Sequence, residues 1–364
     1  MAVFLNVGTF QGDTLSVAIF LPVINLPLEY LRSEAAHGYT LKDKTHVTFA
    51  FADDLALTIS RSRSLQRILN TLDRNLRSIH LYLKPKKCKT LSICGGSAKD
   101  VAFCIGSHPM DNIIKTPFKF LGGYVTARGS AGQVADILRE SIIGSKEKNG
   151  IIMNIDESPI RGEYKCEIYR VYVQGAIKYL LSVHDTTRSH LQKLSSSVTQ
   201  YLKKWAGMKR SANSGILYHS QGLGLISVEQ IYLQQHATVI ASAVTIGDAS
   251  VQNALQAKVE REGTFTRKRT GNLECHTLVK DTLTSLSSPN SNDNQATPHH
   301  TKDKLCRRVK AHIRQTEDNK IEEHCRSLSV QGNWVELIEL EQSDTKWRSS
   351  LCNSPRGVFE FALS

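Results

Sequence analysis

Two adjacent carboxylates, Asp53 and Asp54, stand between apolar runs in the stretch Val-Thr-Phe-Ala-Phe-Ala-Asp-Asp-Leu-Ala-Leu-Thr-Ile at residues 47–59. Phosphoryl transfer by two metal ions needs carboxylate oxygens that share and clamp Mg2+, and neighbouring aspartates on a tight turn offer such oxygens at a fixed place. The same dipeptide also suits an ordinary hairpin turn. The hairpin is expected to be buried, and something cationic should then sit against the pair, because burying an unpaired carboxylate is costly. Zinc chemistry is disfavoured: cysteines at 88, 94, 104, 166, 275, 306, 325 and 352 include no Cys-x-x-Cys pair. Cys306, His312, His324 and Cys325 form only a loose cluster, read as incidental. The cysteine usage reads as reduced thiols of an intracellular protein.

The elements that must position the aspartates follow from periodicity. Residues 47–59 read as two strands flanking the acidic turn. From Ser64 onward, Leu65, Ile68, Leu69, Leu72, Leu76 and Ile79 fall on one helical face, with Arg63, Arg67, Arg74 and Arg77 on the other. A basic turn, Leu83-Lys-Pro-Lys-Lys-Cys-Lys89, leads to a short strand at 90–94. Phe118-Lys-Phe-Leu-Gly-Gly-Tyr-Val125 reads as a strand with a glycine turn inside it. Residues 1–125 are therefore expected to be α+β, and a helical region is expected over 126–246, with helices near 132–149, 163–182, 187–205 and 228–246. The second of these is apolar nearly all round and should be central to a bundle; the third puts Leu191, Leu194, Val198, Leu202 and Trp205 on one face. A helical, basic connector over 247–281, a flexible linker rich in Ser, Thr, Asn and Pro over 282–303, and a C-terminal helical extension over 304–364 complete the expected organisation.

Composition narrows the function classes. Forty-six Lys and Arg against 34 Asp and Glu leave a formal charge of +12, so a polyanion is the first partner to consider. The surplus is densest over 61–89, where nine Lys or Arg face Asp73 alone. The apolar segment 14–28 reads as neither a signal peptide nor a membrane span: Asp13 precedes it, no Lys or Arg supplies a positive flank, and Pro22 and Pro27 interrupt it. The clusters Arg267-Lys-Arg269 and Arg307-Arg308 are too short to decide between nucleus and cytoplasm, and the sequence says nothing of oligomeric state.

Four elements in order then resemble the reverse transcriptases of non-LTR (LINE-type) retrotransposons: Gly8-Thr-Phe-Gln-Gly-Asp-Thr-Leu-Ser16, Phe51-Ala-Asp-Asp54, the Lys-Pro-Lys-Lys-Cys-Lys turn, and Phe-Leu-Gly-Gly at 120–123. Weaker echoes are Lys203-Lys-Trp205 and Gln221-Gly-Leu-Gly-Leu-Ile-Ser227. The resemblance implies a partial reverse-transcriptase palm, an antiparallel sheet with helices, followed by a thumb-like helical region. It implies that Asp53 and Asp54 are catalytic and hold Mg2+, that Phe51 walls the site, and that Gln11 and Gly12 face the nucleotide and template. Lys87 would meet the triphosphate or protonate the leaving pyrophosphate, or is simply an exposed turn lysine. Phe120, Leu121 and Gly122 would grip the primer, with plain core packing the other reading, and Lys203 and Lys204 would lie near duplex phosphates. The implied partners are an RNA template, a DNA primer and a deoxynucleoside triphosphate, with no membrane.

The departures are equally informative. In the family a first catalytic aspartate precedes the Gln-Gly-Asp motif, and neither its strand nor the fingers is found here. Asp13 is already the aspartate of that motif. The chain is thus expected to be truncated and inactive as a polymerase on its own, since losing one member of a catalytic constellation costs orders of magnitude in rate. The other reading is a non-catalytic, basic nucleic-acid-binding remnant.

Overall fold

The computed structural model describes residues 14–41, 44–114, 117–127, 131–145, 147–247, 249–263, 272–286 and 298–328. The chain divides into two compact units, Met1–Ser130 and Ala131–Ser364.

The first unit is α+β. Helix α1 (Thr14–Ser33) begins directly after the Gln-Gly-Asp motif, which itself lies outside the described residues. Pro22 and Pro27 stand inside α1, and each lacks the N–H of a helical hydrogen bond. Helix α2 (Ser62–Ser78) buries Ile68, Leu69, Leu72 and Leu76, four members of the expected apolar stripe. Those on Ile68, Leu72 and Leu76 meet Ile24 and Leu31 of α1 in a small core completed by Leu57, Ile59, Leu81 and Leu83. The opposite side of α1 leaves Leu15, Ile19 and Leu26 exposed.

Strands of this unit pair two by two among the described residues, as short ladders in place of the continuous sheet of a full palm. β1 (Tyr39–Leu41) pairs with β2 (Lys44–His46), and β3 (Thr48–Phe51) with β4 (Asp54–Leu57). The Thr58 amide donates to the Val47 carbonyl at 2.8 Å, prolonging that second ladder past its named strands. β5 (Lys89–Thr90) pairs in parallel with β10 (Asp111–Asn112). Antiparallel hairpins join β6 (Ser92–Cys94) to β7 (Ser97–Lys99), β8 (Cys104–Ile105) to β9 (His108–Pro109), and β11 (Phe118–Phe120) to β12 (Gly123–Val125).

The second unit is helical: α3 (Ala131–Ile142), α4 (Ile151–Glu157), α5 (Gly162–Ile168), α6 (Gln174–Val183), α7 (Arg188–Trp205), α8 (Gly215–Tyr218), α9 (Val228–Ile246), α10 (Ala249–Gly263), α11 (Asn272–Leu286) and α12 (Pro298–Arg326). A π-helical turn, Tyr169–Val173, makes α5 and α6 one continuous helix. That helix buries Tyr169, Val173, Ile177 and Leu181 but exposes Val171, Tyr172, Tyr179 and Val183, so it flanks the core where the sequence led us to expect it at the centre. The central place falls to α9, on which α6, α7, α10, α11 and α12 all pack. Its ends are set locally: the Ser227 hydroxyl accepts from the Gln230 amide at 3.2 Å as an N-cap. All five residues of the expected α7 face are buried. Gly162 is required where it stands, because a Cβ there would lie 1.8 Å from the Trp205 carbonyl oxygen.

Helices α11 and α12 take in both ends of the stretch expected as a linker, leaving 287–297 outside the described residues. Leu305, Cys306, Val309 and Ile313 of α12 share a core with Ala237, Ile240 and Ala241 of α9 and with Cys275 and Val279 of α11. Residues 304–326 therefore complete the helical unit. The acidic stretch 336–344 and Trp347 lie outside the described residues. No helix among the described residues is long and apolar enough to cross a membrane.

Candidate active site

The β3–β4 hairpin places the two aspartates. Its register, Thr48↔Leu57, Phe49↔Ala56, Ala50↔Leu55 and Phe51↔Asp54, leaves Ala52 and Asp53 as a two-residue turn. Ala52 sits at φ 53°, a left-handed conformation that costs a residue with a Cβ about 1–2 kcal/mol. Such strain persists where the surroundings fix it, often at sites that work. Asp54 opens β4 beside Asp53, so both carboxylates stand at the tip.

The tip is exposed. Phe51 is 68% accessible, Asp53 and Asp54 are exposed, and neither carboxylate has a hydrogen bond or ion pair with a described residue. This corrects the expectation of a buried hairpin neutralised by a cation: water solvates the pair, so no counter-charge is required. Phe49 is half exposed and stacks on His46 with ring centroids 5.3 Å apart.

Two bare, adjacent carboxylates fit a hard divalent cation in part. Mg2+ is ordinarily held by one or two carboxylates, with water and substrate phosphate oxygens completing its shell. Among the described residues no group of three His, Cys, Asp or Glu side chains could hold a metal, so the pair supplies one side of a clamp.

Lys87 closes the 3₁₀ turn Pro85–Lys87 with its side chain exposed, and its amide donates to the Lys84 carbonyl at 2.9 Å. No described hydrogen bond or ion pair joins Lys87 to Asp53 or Asp54. Phe120, Leu121 and Gly122 lie at the β11–β12 hairpin, where Leu121 and Gly122 form the turn at φ 47° and 76°. Glycine is needed at the second position for that geometry, whereas Leu121 bears the strain of the first. Gln11 and Gly12 lie outside the described residues.

Lys203 and Lys204 have internal partners. The Lys203 ammonium donates to the carbonyls of Arg210, at 3.0 Å, and Ala212. Lys204 pairs with Asp156 at 2.8 Å, and the other oxygen of Asp156 accepts from the buried Trp205 indole at 2.9 Å. Burial pushes the Asp156 carboxyl up, but the Lys204 ammonium and Trp205 indole outweigh it and hold the group below the ordinary carboxylate range. Asp156 is the residue sequence reasoning missed, because its partners lie 48 and 49 positions away.

The basic surface is also more selective than the sequence suggests. Arg67 is forked onto Glu34 at 2.6 and 3.0 Å. Arg77 binds Asp73 at 2.8 Å and lies 5.7 Å from the Tyr82 ring centroid. Lys89 is paired with Asp111. The i,i+4 spacing of Asp73 and Arg77 was a readable signal for one of these pairs. Arg61, Arg63, Arg74, Lys84, Lys86 and Lys87 remain exposed with no described ion-pair partner.

Comparison with known proteins places this geometry. The family model described as "Reverse transcriptase (RNA-dependent DNA polymerase)" matches residues 2–125. The Pol polyprotein of the type-1 retrotransposable element R2 from Popillia japonica is 23% identical over 235 residues, covering 62% of this chain and 37% of the relative. Its counterpart from Nasonia vitripennis is 22% identical over 230 residues, covering 61% of this chain and 22% of the relative. The chain thus spans well under half the length of the curated relatives it matches. Over residues 2–125, which hold the strained, exposed Asp-Asp hairpin, the chain is similar to the reverse-transcriptase family, and the relatives it resembles are Pol polyproteins of a retrotransposable element.

Proposed function

We propose that residues 2–125 are the metal-holding part of an RNA-directed DNA polymerase palm, acting on an RNA template, a DNA primer and deoxynucleoside triphosphates. The observation that carries this reading is the bare Asp53–Asp54 pair on a strained turn within the reverse-transcriptase segment. The two side chains would hold Mg2+, whose chemistry there is to polarise the primer hydroxyl and neutralise the triphosphate. Phe51, exposed beside the pair, would wall the site; Gln11 and Gly12 would face the nucleotide and template. Lys87 would bring a proton or a positive charge to the departing pyrophosphate. Phe120, Leu121 and Gly122 would bear on the primer. Arg61, Arg63, Arg74, Lys84 and Lys86 would meet backbone phosphates, which need charge and no particular sequence.

Among the described residues Asp53 and Asp54 supply one side of the clamp, and no group of three His, Cys, Asp or Glu side chains completes it. The 364-residue chain by itself is therefore proposed to bind a primed RNA template without extending the primer. Filter binding at two salt concentrations, run beside primer extension on poly-rA with Mg2+ or Mn2+, tests both halves. Binding that weakens steeply with salt and survives Asp53→Ala, with no extension, is the expected result. Extension abolished by Asp53→Ala would overturn the inactivity while upholding the metal site. Absent or salt-independent binding would overturn the nucleic-acid reading.

A further inference from the structure

Strands β1, β2 and β3 set four aromatic side chains in a row, of which the metal chemistry uses Phe51 alone. Tyr39 of β1 stands directly across from His46 of β2, and directly opposed residues of an antiparallel pair project to one face. The His46 ring stacks on Phe49 of β3, with centroids 5.3 Å apart and planes 20° from parallel. Phe49 and Phe51 are two residues apart on one strand, so they too share a face. Phe51 is paired across the ladder with Asp54, which puts that carboxylate at the end of the same row. The opposite face of the hairpin carries Leu57 into the core with Ile68 and Leu72 of α2.

The row is open to solvent and held in place. Tyr39 is 55% accessible and Phe49 50%. One exposed ring needs no explanation, but a contiguous row of them marks an interaction surface. The Thr58 hydroxyl donates to the His46 carbonyl at 2.8 Å, and the Tyr39 amide donates to the Thr58 carbonyl at 3.2 Å, so one backbone position ties both strands down. Stacking on His46 covers one face of the Phe49 ring and leaves the other for a ligand. A surface fixed in this way loses little freedom when it binds.

Charge and spacing select the ligand. β1, β2 and β3 contain no Asp or Glu, whereas Lys44 lies two residues from His46 on the same face of β2. Arg61 follows Ser60, whose amide donates to the His37 carbonyl at 3.0 Å, and so stands at the Tyr39 end of the row. An apolar protein surface would gain from the rings but not from the cations. A nucleic-acid strand uses both, stacking its bases on the rings and setting its phosphates against Lys and Arg. Neighbours on one face of a strand are ~6.8 Å apart, about twice the ~3.4 Å between stacked bases, so the space between Phe49 and Phe51 suits one base. We propose that Tyr39, His46 and Phe49 form a stacking platform for unpaired bases of a nucleic-acid strand. This rests on the nucleic-acid reading of the segment and adds to it a base-binding surface that needs no metal ion. Every base has a π-face, so the platform tolerates any sequence and prefers a single strand to a duplex, whose bases already stack on one another.

The full chain is titrated by anisotropy with three labelled probes of equal length: a single-stranded RNA, the same RNA as a duplex, and a strand of abasic sugar phosphates that keeps the charge and lacks the bases. The variants are Tyr39→Leu, Phe49→Leu and the two together, which keep apolar bulk and remove the π-face. Each single substitution should weaken single-stranded RNA binding roughly 5-fold or more, and the pair further. Affinity for the abasic strand and the log–log salt slope should stay as in the parent, because no phosphate contact is removed. RNA binding unchanged by the substitutions, or an equal loss on the abasic strand or the duplex, overturns the platform. Salt-sensitive parent binding that the substitutions leave untouched sinks the platform alone, whereas parent binding that is absent or independent of salt sinks the nucleic-acid reading and the platform with it. Self-association of the parent in sedimentation, abolished by the same substitutions with RNA affinity unchanged, would assign the row to a contact between copies and likewise overturn the proposal.

Discussion

Replacing Asp156 by alanine separates a structural brace from a nucleic-acid contact at the Lys-Lys-Trp segment. The carboxylate accepts the Trp205 indole at 2.9 Å and pairs with Lys204 at 2.8 Å. Trp205 is only 5% exposed, so its orphaned N–H costs about 1–3 kcal/mol. The Lys204 side chain is 66% exposed, so its pair adds no more than about 0–1 kcal/mol. Asp156→Ala should therefore destabilise the helical unit by ~2–3 kcal/mol. Asp156→Asn keeps an acceptor for the indole and should cost under ~1 kcal/mol. Urea unfolding followed by tryptophan fluorescence and far-ultraviolet circular dichroism measures both. The sign of the pH dependence follows from the lowered carboxyl. A depressed folded-state pKa contributes stability that is present above the unfolded value of about 3.9 and is lost as pH falls through the folded value. The parent should lose stability on acidification below about pH 4 more steeply than Asp156→Asn. Equal costs for alanine and asparagine, with identical acid profiles, would refute the brace.

Other expectations are equally concrete. If the exposed face of α2 meets phosphates, Arg74→Gln should flatten the log–log salt dependence of RNA binding by about one unit. Arg67→Gln should change it less, because Arg67 is already held by Glu34. Leu305 is fully buried between α12 and its neighbours, so Leu305→Ala should cost about 2–5 kcal/mol by calorimetry or urea titration. An effect under ~1 kcal/mol would mean that α12 does not belong to the helical core. Ala52→Val should destabilise the hairpin, since a β-branched residue fits φ 53° worse than alanine. Amide exchange at Leu55 and Ala56 reports that change.

Local signals were legible in the sequence and distant ones were not. The tight turn at the aspartates, the glycine turn within 118–125 and the faces of α2 and α7 depend on neighbours along the chain, and the structure forms each of them. The helix at 163–182 misled because apolarity all round does not reveal that tyrosines at 172 and 179 face solvent while α9 takes the centre. The supposed linker hid two helix ends, since Ser, Thr and Asn tolerate helix once tertiary packing orders the chain beside them. Lys203 and Lys204 read as free to lie near duplex phosphates, because carbonyls at 210 and 212 and a carboxylate at 156 become partners only after folding. For the candidate site, the sequence put the two aspartates at a hairpin turn, where the structure has them, but misjudged their burial, since the strand pattern alone does not say which face another layer covers.

Whether Asp53 and Asp54 hold a divalent ion is the centre of the account, and Mn2+ titration of the labelled full chain by NMR tests it most directly. Paramagnetic broadening should begin at the amides of Ala52, Asp53, Asp54 and Leu55, and either Asp53→Asn or Asp54→Asn should weaken Mn2+ binding about 10-fold or more. Broadening centred elsewhere, or unchanged by both substitutions, would contradict it.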